Sequence, residues 1–403
     1  GLFMALGMGA NDVANAMGTS VGSRAISIRQ ALIIAALFEF GGAVLAGSNV
    51  TETVRNGIVM PHVFDAAPRL LIYGMLSSLL AAGLWLLVAS KRGWPVSTTH
   101  SIVGAIVGFA LASRGSEAVQ WGNVAYIVTS WVISPIVAGV LSYLIFRSAL
   151  RLILEHDQPL VQARRYVPFY MFLAAFILTL VTLLSGLKYL HLVISHVQAY
   201  VAAAGIGTIV ALIGKFFIER IRIEDGSARE LHFASVERVF GILMISTACC
   251  MAFAHGSNDV ANAVGPVAAV VAVAQSGVVS HNIGISIWIL VLGGIGIVIG
   301  LATYGRRVIE TVGREITDLT PSRGFAAELA AASTIVMASS TGMPISTTHT
   351  LVGAILGVGF ARGIAAINLQ VVRTIILSWI VTVPVGAALS VAIFYLVRLL
   401  LPG

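Results

Sequence analysis

A bundle of about a dozen membrane-crossing α-helices, all-α and arranged as two inverted repeats with broken or re-entrant helices, is the fold this sequence predicts. Three observations predict it. The chain is 58% hydrophobic and only 10% charged, with a mean hydropathy of +0.96, against roughly 25% charged residues in ordinary soluble domains. Long apolar runs recur from one end to the other. Two short polar strings each occur twice.

Each crossing uses about 20 apolar residues, so 403 residues hold about a dozen spans and leave no room for a soluble domain. Apolar runs fall near residues 2–22, 27–49, 68–90, 95–113, 121–146 and 167–187. Six more follow near 192–216, 237–275, 283–304, 325–341, 344–361 and 369–400, of which 237–275 is long enough for a broken or doubled element. No signal peptide or basic targeting stretch opens the chain, and the first helix reads as cut short at its start. Cys249 and Cys250 are sequence neighbours in an apolar run. They cannot sensibly bridge each other and read as small core residues.

If every run crosses once, the loops at 22–30, 91–92, 147–166, 215–238, 305–324 and 362–373 share one side and carry most of the 24 Lys and Arg. Arg55, Arg69, Arg114, Lys188 and Arg398 fall on the other. The positive-inside bias places the first set in the cytoplasm and both termini outside, in a plasma (inner) membrane.

The repetition is the strongest signal. Gly9-Ala10-Asn11-Asp12-Val13-Ala14-Asn15-Ala16 returns as Gly256-Ser257-Asn258-Asp259-Val260-Ala261-Asn262-Ala263, at an offset of 247. Pro95-Val96-Ser97-Thr98-Thr99-His100 returns as Pro344-Ile345-Ser346-Thr347-Thr348-His349, at an offset of 249. An odd number of spans separates the copies, so they run oppositely through the membrane. Residues 1–150 form the first repeat, 151–236 a connector of two spans with a short charged loop, and 237–403 the second repeat. Such repeats place a transported solute near the midplane between them.

Each hydroxyl string stands at a helix start, where free N–H groups, the positive end of the macrodipole and neighbouring hydroxyls suit an anion. Ser97, Thr98, Thr99, Ser346, Thr347 and Thr348 match a tetrahedral oxyanion. They are neutral donors from which an anion can be released. The bland alternative, a plain N-cap, weakens when two copies stand at matched repeat positions. The Asn-Asp strings supply hard oxygen ligands: Asp12 and Asn15, and likewise Asp259 and Asn262, lie one helical turn apart and suit a small hard cation such as sodium. Gly7, Gly9, Gly256, Gly18, Gly22, Gly265 and Pro266 mark where these helices are expected to break and free their carbonyls. A carboxylate that only bonds a neighbouring helix is the competing reading, and duplication argues against it.

Glu39 and Glu328 are intramembrane acids not related by the repeat offset, and read as second-tier site residues: cation ligands, proton carriers or partners of Ser and Thr. His100 and His349 join that tier, with packing the competing role. His255 has Met8 at its counterpart, and a site built on it would be asymmetric, so it is not expected among the site residues. Gly104, Gly108, Gly353, Gly357, Gly293 and Gly294 read as close-packing positions. Trp131, Trp379, Arg306, Arg307 and Arg314 read as interface anchors.

The strings GANDVANA and GSNDVANA, with GWPVSTTH and GMPISTTH, resemble the signatures of the inorganic phosphate transporter (PiT) family, over nearly the whole chain. Thr51-Glu52-Thr53-Val54-Arg55-Asn56-Gly57 is similar to the stretch after its second helix. The resemblance implies a secondary carrier importing inorganic phosphate, a homodimer in the bilayer, and no enzymatic activity. Asn11 beside Asp12 is similar to the sodium-dependent branch, so sodium is the expected coupling ion. The short loop 217–236 suggests a prokaryotic source.

The expected mechanism binds sodium at Asp12, Asn15, Asp259 and Asn262, then phosphate among the six hydroxyls with Asn11 and Asn258 adding amide donors, and then rocks the halves. Sodium ions apart, no cofactor is expected, and no nucleic-acid partner. The alternatives are a proton-coupled or metal-phosphate symporter, an anion channel, which needs basic rings along a pore, and an intramembrane hydrolase, which needs one nucleophile with its base.

Overall fold

The computed structural model of the chain describes residues 1–92, 94, 96–186, 194–221, 229–279, 284–305, 320–363 and 369–401. Among these, thirteen helices carry most of the backbone, and Val59 and Val119 form an isolated bridge. In chain order they are α1 Leu2–Gly22, α2 Ile28–Ala46, α3 Ser48–Asn56, α4 Pro68–Lys91, α5 Thr98–Arg114, α6 Trp121–Ala149 and α7 Pro159–Val181. Then come α8 His196–Glu219, α9 Arg229–Ser276, α10 Ile287–Gly300, α11 Pro321–Ser340, α12 Thr347–Arg362 and α13 Leu369–Leu400.

Local chemistry accounts for many of the boundaries. Ser27 with Gln30, and Ser195 with Gln198, form capping boxes at the starts of α2 and α8. Pro68, Pro159 and Pro321 occupy first-turn positions of α4, α7 and α11, where a missing N–H costs nothing. Gly115 and Gly363 hold positive φ at the ends of α5 and α12, a backbone that other residues adopt only under strain.

Two boundaries differ from the sequence expectation. The run 27–49 is interrupted at Gly47, and α3 begins there as a separate short helix. The run 237–275 is unbroken: α9 is one helix of 48 residues with Pro266 inside it, and α1 also passes continuously through Asn11 and Asp12. The glycines expected to break these helices instead admit a neighbouring backbone, since a Cβ on Gly9 would collide with Ile297 O and one on Gly256 with Glu39 O. The interruptions lie elsewhere, between α2 and α3, α4 and α5, and α11 and α12.

Among the described residues, seven helices are long and apolar enough to cross a membrane: Ile28–Ala46, Pro68–Lys91, Trp121–Leu154, Pro159–Leu184, His196–Glu219, Ala234–Ser276 and Trp379–Leu400. The peripheral α8 exposes Val197, Val201, Leu212 and Phe216, as a lipid-facing helix does. The shorter α5, α11 and α12 lie in the interior and bury most of their side chains.

The helix directions near the centre follow from close contacts. Gly104 and Gly108 of α5 sit against Val383 and Ala387 of α13, so these two helices run parallel. Gly353 and Gly357 of α12 sit against Pro135 and Gly139 of α6, and Ser142 Oγ donates to Ala354 O at 2.6 Å. That pair also runs parallel. Because α6 leaves the face at which α5 ends, α5 and α12 run in opposite directions. Their N-terminal tips meet, with the His100 and His349 ring centroids 4.4 Å apart.

Polar contacts between loops and helix ends fall into two groups. Tyr73 donates to Leu401 O, Tyr395 to Ala112 O, and Gln120 to Asn56 O and Val59 O. At the other face, Arg164 donates to Ile221 O, and Glu237 caps the start of α11 by accepting from Ser322 N at 2.8 Å and Ser322 Oγ at 2.6 Å.

Candidate functional site

The four strings converge at the meeting point of the α5 and α12 tips. Asn11 and Asp12 lie midway along α1, and Asn258, Asp259 and Asn262 along α9, all buried. Thr347 at the start of α12 donates to Asp259 Oδ2 at 3.0 Å. Across the halves, Asn262 Nδ2 donates to Thr98 Oγ1 at 3.3 Å and Thr99 Oγ1 at 3.1 Å, and Thr99 Oγ1 donates to Ile345 O at 2.9 Å. Gly93, Pro95 and the side chain of Asn15 lie outside the described residues.

The contacts refine the roles expected of the hydroxyls. Ser97 and Ser346 accept from the His100 and His349 N–H groups as N-caps, and each keeps its own O–H. The first-turn N–H groups of Thr98, Thr99, Thr347 and Thr348 lie outside the intrahelical ladder, as at every helix start. Thr99 and Thr347 spend their hydroxyl protons on Ile345 O and Asp259. Asn258 gives its amide protons to Ser339 Oγ and Met343 O, at 3.1 and 3.0 Å. Asn11 Nδ2 is without a hydrogen-bond partner among the described residues.

Among the described residues, several buried acceptors also lack a hydrogen-bond partner: both oxygens of Asp12, and the Oδ1 atoms of Asp259, Asn258 and Asn262. An unmet buried polar atom costs about 1–3 kcal/mol, and more if charged. Concentrating them at one point is the mark of a site that a ligand completes. The acceptor oxygens suit a cation, and the two helix tips suit an anion beside it.

The largest addition to the expected set is His255. Its Nδ1 lies 2.8 Å from Glu39 Oε2 and its Nε2 lies 2.8 Å from Asp259 Oδ2. Glu39, His255 and Asp259 thus form a buried chain leading to the acids, and Asp12 O, His255 N and Asp259 O lie within 4.8 Å of one another. Repeat arithmetic missed it because the chain has no counterpart. A recoverable signal was present: Glu39 is the lone acid of its apolar run and needs a partner, and His255 is a turn from Asp259.

Glu328 stands apart from this centre. It accepts from Thr19 and Ser20 of α1, and from Thr247 of α9 at 2.8 Å, so it serves as a partner of Ser and Thr. His100 meets Trp131 at a tilt and His349 stacks on Trp379, with centroids 3.8 and 3.5 Å apart, and the ring nitrogens of both histidines lack hydrogen-bond partners among the described residues. Trp131 and Trp379 therefore line the tips, in place of the interface role expected of them, and Trp131 Nε1 donates to Pro344 O. Arg306, Arg307 and Arg314 lie outside the described residues. Cys249 and Cys250 are free thiols.

Comparison with known proteins bears on what this centre serves. Residues 8–390 match a family model described as the phosphate transporter family. A protein of Haemophilus influenzae, named as a candidate phosphate permease, is 53% identical over 99% of this chain and 95% of its own length. The chloroplastic inorganic phosphate transporter 2-1 of Arabidopsis thaliana is 45% identical over 97% of this chain and 70% of its own. A solved structure described as the sodium-dependent phosphate transporter superposes with a TM-score of 0.92 at 42% identity, covering 99% of this chain and 97% of that one.

Proposed function

The chain belongs to the phosphate transporter family, a family of multi-pass membrane proteins, and from that premise we propose that it carries inorganic phosphate inward together with sodium by alternating access. The carrying observation is the head-to-head meeting of the α5 and α12 tips beside buried acids and amide oxygens that lack partners. Asp12, Glu39 and Asp259 bring three carboxylates to one buried region, with His255 as the single compensating base. Such an excess of negative charge is not stable in a low-dielectric interior without added cations. Sodium bound at Asp12 and Asp259, with Asn262 Oδ1, Asn258 Oδ1 and Asn15, neutralises it. Phosphate then meets two positive helix ends, the Ser97 and Ser346 hydroxyls, Thr98, Thr348 and Asn11 Nδ2. Thr99 and Thr347 hold the tips in register, and Thr347 ties the phosphate end to the cation end through Asp259.

Residues 1–150 and 237–403 are the repeats whose halves move, residues 151–236 connect them, and the protein sits as a homodimer in a plasma (inner) membrane of prokaryotic type with both termini outside. A carrier also fits the scarcity of buried basic side chains, of which Arg55 is the one in the described spans and short helices.

Uptake of labelled phosphate into proteoliposomes, with sodium and pH gradients imposed separately, tests the reading. A sodium gradient alone is expected to drive accumulation; accumulation driven only by a proton gradient overturns sodium coupling. Asp12→Asn and Asp259→Asn are each expected to lower sodium-driven uptake about 100-fold, the loss of about 2.7 kcal/mol of coupled binding. Undiminished sodium dependence in both variants removes these acids from the cation site.

A further inference from the structure

The buried chain Glu39–His255–Asp259 has a sister contact in the same molecule that lacks its chemistry. A Cβ on Gly256 of α9 would strike Glu39 O of α2, and one on Gly9 of α1 would strike Ile297 O of α10. Reciprocally, Gly42 of α2 abuts Phe253 O, and Gly300 of α10 abuts Leu6 O. The two helix pairs are therefore packed in the same register, with Met8 standing where His255 stands and Ile297 where Glu39 stands. Met8 and Ile297 are both fully buried and need nothing more than van der Waals contact. The second pair replaces them with an imidazole and a carboxylate, aimed at the acid cluster.

Sodium coordination does not explain that replacement. Sodium is a hard ion that takes oxygen, and an imidazole nitrogen is a ligand for zinc, copper, cobalt and their neighbours. The geometry around His255 is that of a metal-ligating histidine. Its Nδ1 is hydrogen-bonded to Glu39 Oε2 at 2.8 Å, the outer carboxylate that fixes the tautomer and turns the Nε2 lone pair inward in histidine–metal sites. Nε2 lies 2.8 Å from Asp259 Oδ2, where it either donates its proton to that oxygen or, without the proton, stands beside it as a second ligand atom. That separation suits two adjacent ligands of one ion at about 2.0–2.2 Å from each. Asp12, with neither oxygen partnered among the described residues, completes the set within 4.8 Å. All three side chains are at least 99% buried, with relative exposures of 1%, 1% and 0% for Asp12, His255 and Asp259.

We infer that Asp12, His255 and Asp259 form a site for a borderline divalent cation of the zinc and cobalt type, superimposed on the sodium centre, so that such an ion displaces sodium there. The inference rests on the reading of Asp12 and Asp259 as the sodium centre. Three protein ligands leave a coordination position open, on the side where the α5 and α12 tips receive an anion. A bound divalent ion holds both acids together more tightly than sodium does, and so blocks sodium-driven transport.

The test uses the purified full chain in sodium-free nanodiscs, titrated with Co²⁺ and read by its visible ligand-field spectrum. One Co²⁺ per chain is expected, with the intense bands of a four- or five-coordinate site, displaced by Zn²⁺ and weakened in proportion to added sodium. The double variant His255→Met with Glu39→Ile copies the sister contact and so keeps the packing; it is expected to lose the saturable spectrum. Glu39→Gln, which still accepts from Nδ1, is expected to weaken Co²⁺ about 10- to 100-fold. Wild-type protein showing only the spectrum of the hydrated ion overturns the inference, as does an unchanged affinity in the double variant or in Glu39→Gln. Sodium-driven phosphate uptake by the same wild-type preparation without transition metal is run alongside. Uptake without Co²⁺ binding sinks the metal site and leaves the sodium reading standing; Co²⁺ binding that sodium does not weaken, with no uptake, sinks the sodium reading instead.

Discussion

The contact of α1 with α10 and the contact of α9 with α2 share one backbone packing and differ in two side chains. In the first, Met8 and Ile297 stand buried at the equivalent positions; in the second, His255 joins Glu39 to Asp259. What both keep is the glycine that lets two backbones touch, because a close helix approach tolerates no Cβ. What diverges is the chemistry hung on that frame. Duplicated architecture therefore preserves position more strictly than function, and an asymmetric residue within it is more informative than a repeated one.

The comparison can be broken in three ways. The largest effect is expected at the buried chain itself. His255→Met alone strands Glu39 and the acid cluster, and should cost about 3–5 kcal/mol. The double change His255→Met with Glu39→Ile restores the sister seam and should be neutral, or stabilising by about 1–4 kcal/mol. Unfolding of wild type, both single variants and the double in mixed micelles completes the cycle. A double variant as damaged as the sum of the singles would mean that the two seams are not interchangeable.

A smaller effect tests the shared frame. Gly9→Ala and Gly256→Ala each force a Cβ into a carbonyl of the facing helix, and each should destabilise by about 1–3 kcal/mol, as overpacking does. The two should match in thermal unfolding. If one is silent, the register equivalence fails. The smallest effect concerns the tips. Thr99→Val removes the bond to Ile345 O and leaves Asn262 with one partner fewer, a loss of about 1 kcal/mol. The expected signature is weaker phosphate affinity with the sodium dependence retained.

Much of this was legible in the chain itself. Apolar runs placed the helices near their observed positions, and the duplicated strings named Asp12, Asp259 and the two hydroxyl-bearing tips, all of which the fold brings together. What was not legible depends on contacts between distant segments. Gly256 looked like a helix breaker, because nothing local says that Glu39 O will pack against it. Pro266 reads as a break in the helix, yet α9 continues, since surrounding helices hold a ladder that has lost one bond. His255 was set aside for lacking a twin, although its asymmetry is the trait that singles it out. Glu328 and Glu39 looked alike as lone acids; only their neighbours, three hydroxyls for one and an imidazole for the other, separate them.

The crossed packing of α5 on α13 and α12 on α6 bears on how the molecule is made. The groove that seats α5 belongs to α13, which leaves the ribosome roughly 270 residues later. Until α13 enters the bilayer, Gly104 and Gly108 of α5 lack the backbone they pack against in the fold. Seating of α5 on α13 is therefore expected only after insertion, and a chain truncated before residue 369 should lack that seat.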